Sequence, residues 1–217
     1  MSESRRSKAI WRLRTRSLSL GERTLVMGVA MRFGEEWDFP KSTHSQEALV
    51  WSKHISREYW DHHHARRIAQ PSTREEEHLL RRLREGEAKP NGPAWKTVRD
   101  ALCNLPPPSK RREPLQGHWQ HPGARTYNNH TGSEWDEPAK ALKAGDHGVP
   151  GGENLVCNRW GTPRYFTVRE MARLQCLPDS YEITGSWKAA TRQLGNAVPS
   201  VVGTVIGKHI KRIISGA

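Results

Sequence analysis

One stripe near the end of the chain constrains its fold more than any other feature. Val201, Val202, Val205, Ile206, Ile210, Ile213 and Ile214 recur at helical spacing behind Pro199, a residue suited to a helix's first position. Lys208, Lys211 and Arg212 sit near the end of that helix and Gly216 follows it. So wide an apolar face must be buried against something. The remainder of the chain offers little cover, because apolar residues make up only 35% of its 217 and the mean hydropathy is −0.83. A core that lean implies that part of the chain is flexible, or that its apolar faces are buried against another polypeptide.

The length accommodates one ordinary domain or two small ones. Thirty-five Lys and Arg outweigh 23 Asp and Glu, for a formal charge of +12. Such a balance favours a polyanionic partner, nucleic acid first among them, although basic surfaces also occur on proteins that are merely soluble. Cys103, Cys157 and Cys176 are far apart and form no CxxC pair, so neither a zinc site nor a disulfide framework is supported. No apolar run is long enough to span a bilayer, and the basic N-terminus lacks the apolar core of a secretory signal. A cytoplasmic, reduced protein is the expectation.

Residues 1–20 are arginine-rich and read as a flexible arm or a weak basic helix. Thr24–Met31 suits one buried strand, and Gln46–Trp60 a helix with Ala48, Leu49 and Ser52 on one side. A clearer helix begins near Ser72, where Ser72 with Glu75, or Thr73 with Glu76, makes a capping box, and Gly86 stops it. A short helix follows at Thr97–Leu102. Asn104–Trp119 is proline-rich and basic, which reads as an exposed connection, and Gly145–Asn154 reads as a tight irregular loop. Thr167 and Glu170 make a further capping box, opening a helix through Met171, Leu174 and Gln175 that Pro178 ends. The pattern Thr-Val-Arg-acid thus occurs twice, at Thr97 and Thr167, with flanks too different for a repeat. His62, His63 and His64 are consecutive, so their side chains are expected to diverge and no metal site is expected.

Two C-terminal segments carry a resemblance. RYFTVREMARLQCLPDSY (Arg164–Tyr181) resembles the ninth conserved motif of bacterial-type DNA cytosine-5 methyltransferases, and RQLGNAVPSVVGTVIGKHI (Arg192–Ile210) resembles the tenth. The pair, in this order and at this separation, is very specific. More loosely, WDEPAKALKAGDHGVPGGENLV, KTVRDALCNLPPP and WDFPKSTHSQEALVW are similar to the family's target-recognition region. GERTLVMGVAMRFG resembles the strand of its eighth motif, with Arg23 where the family keeps an arginine but Ser19 and Gly21 in place of the usual flanking residues.

The resemblance implies a mixed α/β fold: a small target-recognition domain plus the C-terminal elements of an incomplete Rossmann-like, S-adenosylmethionine-dependent methyltransferase domain. The implied division is 1–20 as an unmatched arm, 21–34 as a degenerate eighth-motif strand, 35–160 as the target-recognition region, and 161–217 as the ninth and tenth motifs. It implies a transferase of the DNA-methylation and restriction–modification kind, acting on double-stranded DNA with S-adenosylmethionine. In that chemistry a thiolate must attack C6 of an extruded cytosine before C5 can accept the methyl group. The family's nucleophile follows a proline in a Pro-Cys-Gln loop. Cys103 lies in Leu-Cys-Asn, Cys157 in Val-Cys-Asn, and Cys176 in Gln-Cys-Leu inside an expected helix, so none fills that role by motif. No catalytic residue is therefore expected in this chain, and a separate N-terminal methyltransferase chain is the expected partner. By resemblance, Gly195, Asn196, Ala197 and Val198 reach the cofactor. Arg23, Arg164, Arg169, Gly151 and Gly152 serve DNA or support the recognition domain, with Arg169 anchored by a carboxylate or by backbone carbonyls. Lys110, Arg111 and Arg112 are either phosphate contacts or a solvated linker. A truncated remnant and a stand-alone DNA-binding module are the alternative readings.

Overall fold

Trp11–Leu20 forms strand β1, paired antiparallel with β2 (Arg23–Arg32) in a register running from Trp11↔Arg32 to Leu20↔Arg23. The computed structural model describes residues 11–20, 23–32, 40–86, 88–110, 115–126, 132–144, 154–157 and 162–215. The expected strand at Thr24–Met31 is present. The flexible arm or basic helix expected before it is instead extended from Trp11. Its Arg12, Arg14 and Arg16 alternate with Leu13 and Thr15, which is a period of two rather than 3.6.

The chain divides into two compact units, one of Met1–Lys41 with Val201–Ala217 and the other of Ser42–Ser200. The second holds α1 (Gln46–His54), α2 (Glu58–His62), α3 (Arg74–Arg84), α4 (Val98–Leu102), β3 (Ser133–Glu134), β4 (Leu155–Cys157), β5 (Arg164–Tyr165), α5 (Val168–Leu174) and α6 (Trp187–Asn196). Its small sheet runs β3-β4-β5, parallel between the first pair and antiparallel between the second. The main core gathers Val98, Leu102, Leu142, Val156, Phe166, Val168, Met171, Ala172, Ala190 and Leu194. That core joins segments from both sides of the boundary expected at residue 160.

Where one helix was expected over Gln46–Trp60 there are two, because Ile55 closes α1 and Arg57 turns the chain at φ 69°. Helix α3 is capped by Thr73, whose hydroxyl accepts from the Glu76 N–H, and Gly86 leaves it at φ +113°. Cys176 lies outside α5, not within it: Gln175 caps the helix and Cys176 takes φ 57°. Helix α6 was not anticipated, although Ser186 caps it and Ala190, Thr191 and Leu194 share its buried side. The last helix, α7 (Ser200–Ser215), begins directly after Pro199 as expected, and Val201 and Val205 on its apolar stripe are 55% and 45% exposed. Among the described residues no helix is long and apolar enough to cross a membrane.

Candidate functional site

The ninth-motif segment builds itself from its first residues. Thr167 caps α5: its hydroxyl accepts from Glu170 N, and its own N–H donates to Glu170 Oε2 at 2.8 Å. The guanidinium of Arg164 then grips both carboxylate oxygens of Glu170 at 2.7 Å each. Bidentate, charge-assisted bonds of this kind fix orientation as well as charge, and they matter here because Glu170 is buried. His118 closes the cluster. Its Nε2 lies 2.7 Å from the Pro106 carbonyl, which can only accept, so Nε2 carries the proton and Nδ1 accepts from the Thr167 hydroxyl at 2.9 Å.

Arg169 points the other way. It is 4% exposed, and among the described residues its side chain donates to the carbonyls of Gln116, Pro178 and Tyr181, at 3.4, 3.5 and 3.1 Å. Of the two anchors considered, the carbonyls are the ones present. Its backbone N–H donates to Gly117 O, so one residue ties the 115–118 turn and the 178–181 turn to α5.

The tenth-motif segment is held from behind. Gln175 at the end of α5 donates to Leu194 O at 2.6 Å, and Ser200 donates from N to Gln175 O and from Oγ to Cys176 O. Gly195 is buried where a Cβ would lie 2.5 Å from Ala144 N and 2.7 Å from Ala144 Cα. That approach is fixed by Asn154, whose amide accepts from Lys143 N and donates to Lys143 O. The glycine is therefore filled by backbone, while Asn196 and Val198 are exposed and Ala197 is half-buried.

A second constellation lies where Trp135, Asp136 and Glu137 clip the other helices together. The carbonyls of Trp135 and Glu137 accept the Arg99 and Val98 N–H groups at the start of α4. Asp136 receives Tyr59 Oη at 2.9 Å and Arg99 Nε at 2.7 Å, and burial with these contacts pushes the Tyr59 hydroxyl far above its usual range. Lys53 Nζ reaches Glu137 at 2.6 Å and the buried Glu76 at 2.7 Å. Glu76 also accepts from His54 Nε2 and from Ser72 N and Oγ. Burial alone would raise the Glu76 carboxyl, but the bonds from His54, Lys53 and Ser72 outweigh it and hold the group well below the carboxylate range. Trp135 lies beneath two guanidinium groups, those of Arg99 and Arg164, at 5.7 and 5.8 Å.

The family model for C-5 cytosine-specific DNA methylases matches residues 40–212. The chain belongs to that family. Among curated methylases it is 38% identical over 90 residues to the Type II methylase M.HgiDII of Herpetosiphon aurantiacus, covering 38% of this chain and 24% of that protein. It is 36% identical over 88 residues to the Type II methyltransferase M.AgeI of Thalassovita gelatinovora, covering 41% and 20%. It is 42% identical over 65 residues to DNA (cytosine-5)-methyltransferase 2 of Arabidopsis thaliana, covering 30% and 4%. Each match thus spans a quarter or less of the relative.

In this methylase-family chain Arg164 and Arg169 flank the α5 cap, and Gly195–Val198 closes α6. Arg23 opens β2 in the other unit, whereas Gly151, Gly152, Arg111, Arg112 and all but the last residue of the Gly145–Asn154 loop lie outside the described residues. Lys110 is exposed. The three cysteines are free thiols, and burial raises the pKa of Cys157 and Cys176, the reverse of what an attacking thiolate needs. The Trp135–Glu137 clip went unnoticed in the sequence. Its signal was the run of two acids beside a tryptophan, with complementary Lys53, Tyr59 and Arg99 scattered over more than forty residues.

Proposed function

We propose that this chain is the sequence-reading, C-terminal part of a DNA cytosine-5 methyltransferase, contributing to methyl transfer from S-adenosylmethionine to C5 of cytosine. The family match over residues 40–212, joined to the two built motif segments, carries this reading. Residues 35–160 form the recognition region that enters the DNA groove, with Lys110 and its basic neighbours on phosphate. Residues 21–34 and 161–217 belong to the Rossmann-like catalytic domain. The nucleophilic cysteine and the main cofactor loop are supplied by polypeptide outside these residues, in the split-enzyme form by a separate N-terminal chain in the cytoplasm.

S-adenosylmethionine supplies the transferable methyl group. The described residues fit one edge of its pocket and no more. The side chains of Asn196 and Val198 stand free at the turn after α6, whereas Gly195 has no open cradle because Lys143 and Ala144 fill it. Asn196 would position the cofactor by hydrogen bonding, and Val198 would exclude water beside it. Gly195 would act indirectly, by letting α6 seat against 143–144.

The deciding experiment measures methyl transfer from labelled S-adenosylmethionine to DNA by this chain alone and by its mixture with an N-terminal half from the same source. Activity in the mixture only is expected. Activity alone would overturn the assignment of the nucleophile elsewhere, and loss of both activity and DNA binding would mark a remnant. Within an active mixture, Asn196→Ala should raise the KM for cofactor without altering the fold, whereas Gly195→Ala should lower stability by ~1–3 kcal/mol because backbone must move.

A further inference from the structure

The first two of the three consecutive histidines do not diverge as their order suggests. His62 ends α2 and His63 caps it at φ −91°, and their rings meet edge to face with centroids 4.8 Å apart. Asp100, 37 residues later on α4, lies with Oδ1 3.1 Å from His63 Nε2. One ligand atom from each of His62, His63 and Asp100 falls within 4.8 Å of the others. Zinc–ligand bonds of about 2.1 Å hold tetrahedral ligand atoms roughly 3.4 Å apart, a separation that a small swing of the exposed His62 ring supplies.

We infer that His62, His63 and Asp100 bind one divalent transition-metal ion of the zinc class, cross-linking α2 to α4. Two of the three ligands are already oriented. Asp100 spends Oδ2 on the capping box, accepting from Thr97 N at 2.8 Å and Thr97 Oγ1 at 2.9 Å, which leaves Oδ1 facing His63. The His63 side chain is 5% exposed and packs edge to face on Tyr59 at 4.7 Å. Such outer contacts fix ring orientation and carboxylate direction as they do around known metal ligands. Arg99, beside Asp100 on the same helix, is engaged by Asp136 at 2.7 Å, so its charge is partly answered before a metal arrives. With three protein ligands the fourth position falls to water, and an ion held there joins α2 to α4.

The test titrates zinc into the metal-free full chain against a chromophoric chelator. One ion per chain is expected, with a rise in melting temperature as zinc is added. His62→Gln removes an exposed ligand without touching the core and should weaken binding by at least about tenfold. His64→Gln, one residue on, should leave it unchanged. Cobalt in place of zinc should give the visible bands of a tetrahedral site lacking thiolate. Absence of stoichiometric uptake, equal losses in the two variants, or loss on alkylating Cys103 and Cys176 would each overturn the site.

Discussion

The Thr-Val-Arg-acid sequence is used twice in this fold, and the two copies agree only as far as the helix cap. At α4, Thr97 and Asp100 exchange the two bonds of a capping box; at α5, Thr167 and Glu170 do the same. Both valines, Val98 and Val168, enter one core. The arginines then part. Arg99, with 31% of its side chain exposed, pairs with the Asp136 carboxylate and covers Trp135, whereas the buried Arg169 side chain donates to the carbonyls of Gln116, Pro178 and Tyr181. The acids part as well: Asp100 turns its spare oxygen to His63, and Glu170 receives the full fork of Arg164. A four-residue pattern therefore fixes how a helix starts and leaves open what its polar residues do next.

Helix α3 supplies a third case that sharpens the contrast, and the largest expected effect. Thr73 and Glu76 have the same spacing, but the Glu76 carboxylate leaves the box to serve Lys53, His54 and Ser72. If the acid only capped its helix, Glu76→Gln would cost ~1 kcal/mol. Because it leaves a buried cation with one partner fewer, a loss of ~3–4 kcal/mol is expected in urea unfolding. The pH sign follows from the direction of the shift. A carboxyl depressed in the fold adds stability above its unfolded pKa of about 4.3, and that stability drains away as pH falls further. Acid unfolding of Glu76→Gln should therefore be shallower below about pH 4. An unchanged acid slope would remove Glu76 from the account.

Arg169→Ala comes next, at ~2–3 kcal/mol, since the Gln116 and Tyr181 carbonyls lose a donor and the Pro178 carbonyl keeps only Tyr181 N. Arg169→Lys should recover little, because one ammonium cannot span the Gln116 and Tyr181 carbonyls as a planar fork does. Full rescue by lysine would show that charge rather than geometry anchors α5.

What the sequence disclosed follows the same division between local and distant causes. Caps at Thr73 and Thr167, the short helix from Thr97 and the stop at Gly86 were legible because each depends on neighbours within four residues. So was the onset of α7 after Pro199. Helix α6 was not legible, although Ala190 and Leu194 keep helical spacing, because it has no acid in its first turn, no base in its last, and Gly195 near its end. Strand β1 was missed because arginine-rich composition outweighed the alternation from Arg12 to Arg16. At the candidate site, Arg169 was singled out by its motif, but its choice of carbonyls depended on turns at 116 and 178–181 that no local pattern places there. The small size of Gly195 is required by Ala144, 51 residues earlier, a demand that no local pattern discloses.

Arg99→Ala is the smallest of the expected effects and the sharpest test of the contrast with Arg169. Its bonds to Asp136 are charge-assisted and part-buried, with 31% of the Arg99 side chain exposed, a setting nearer to that of surface ion pairs, which contribute ~0.2–1 kcal/mol. Its stacking over Trp135 adds a similar amount at an exposed site. Asp136 is not orphaned by the change, because Tyr59 Oη still donates to it at 2.9 Å. A total near ~1 kcal/mol is therefore expected, falling further in high salt, while the cost of Arg169→Ala should change less with salt because its hydrogen-bond partners are neutral carbonyls. Equal salt dependence in the two variants would mean that exposure, rather than partner chemistry, separates the two arginines.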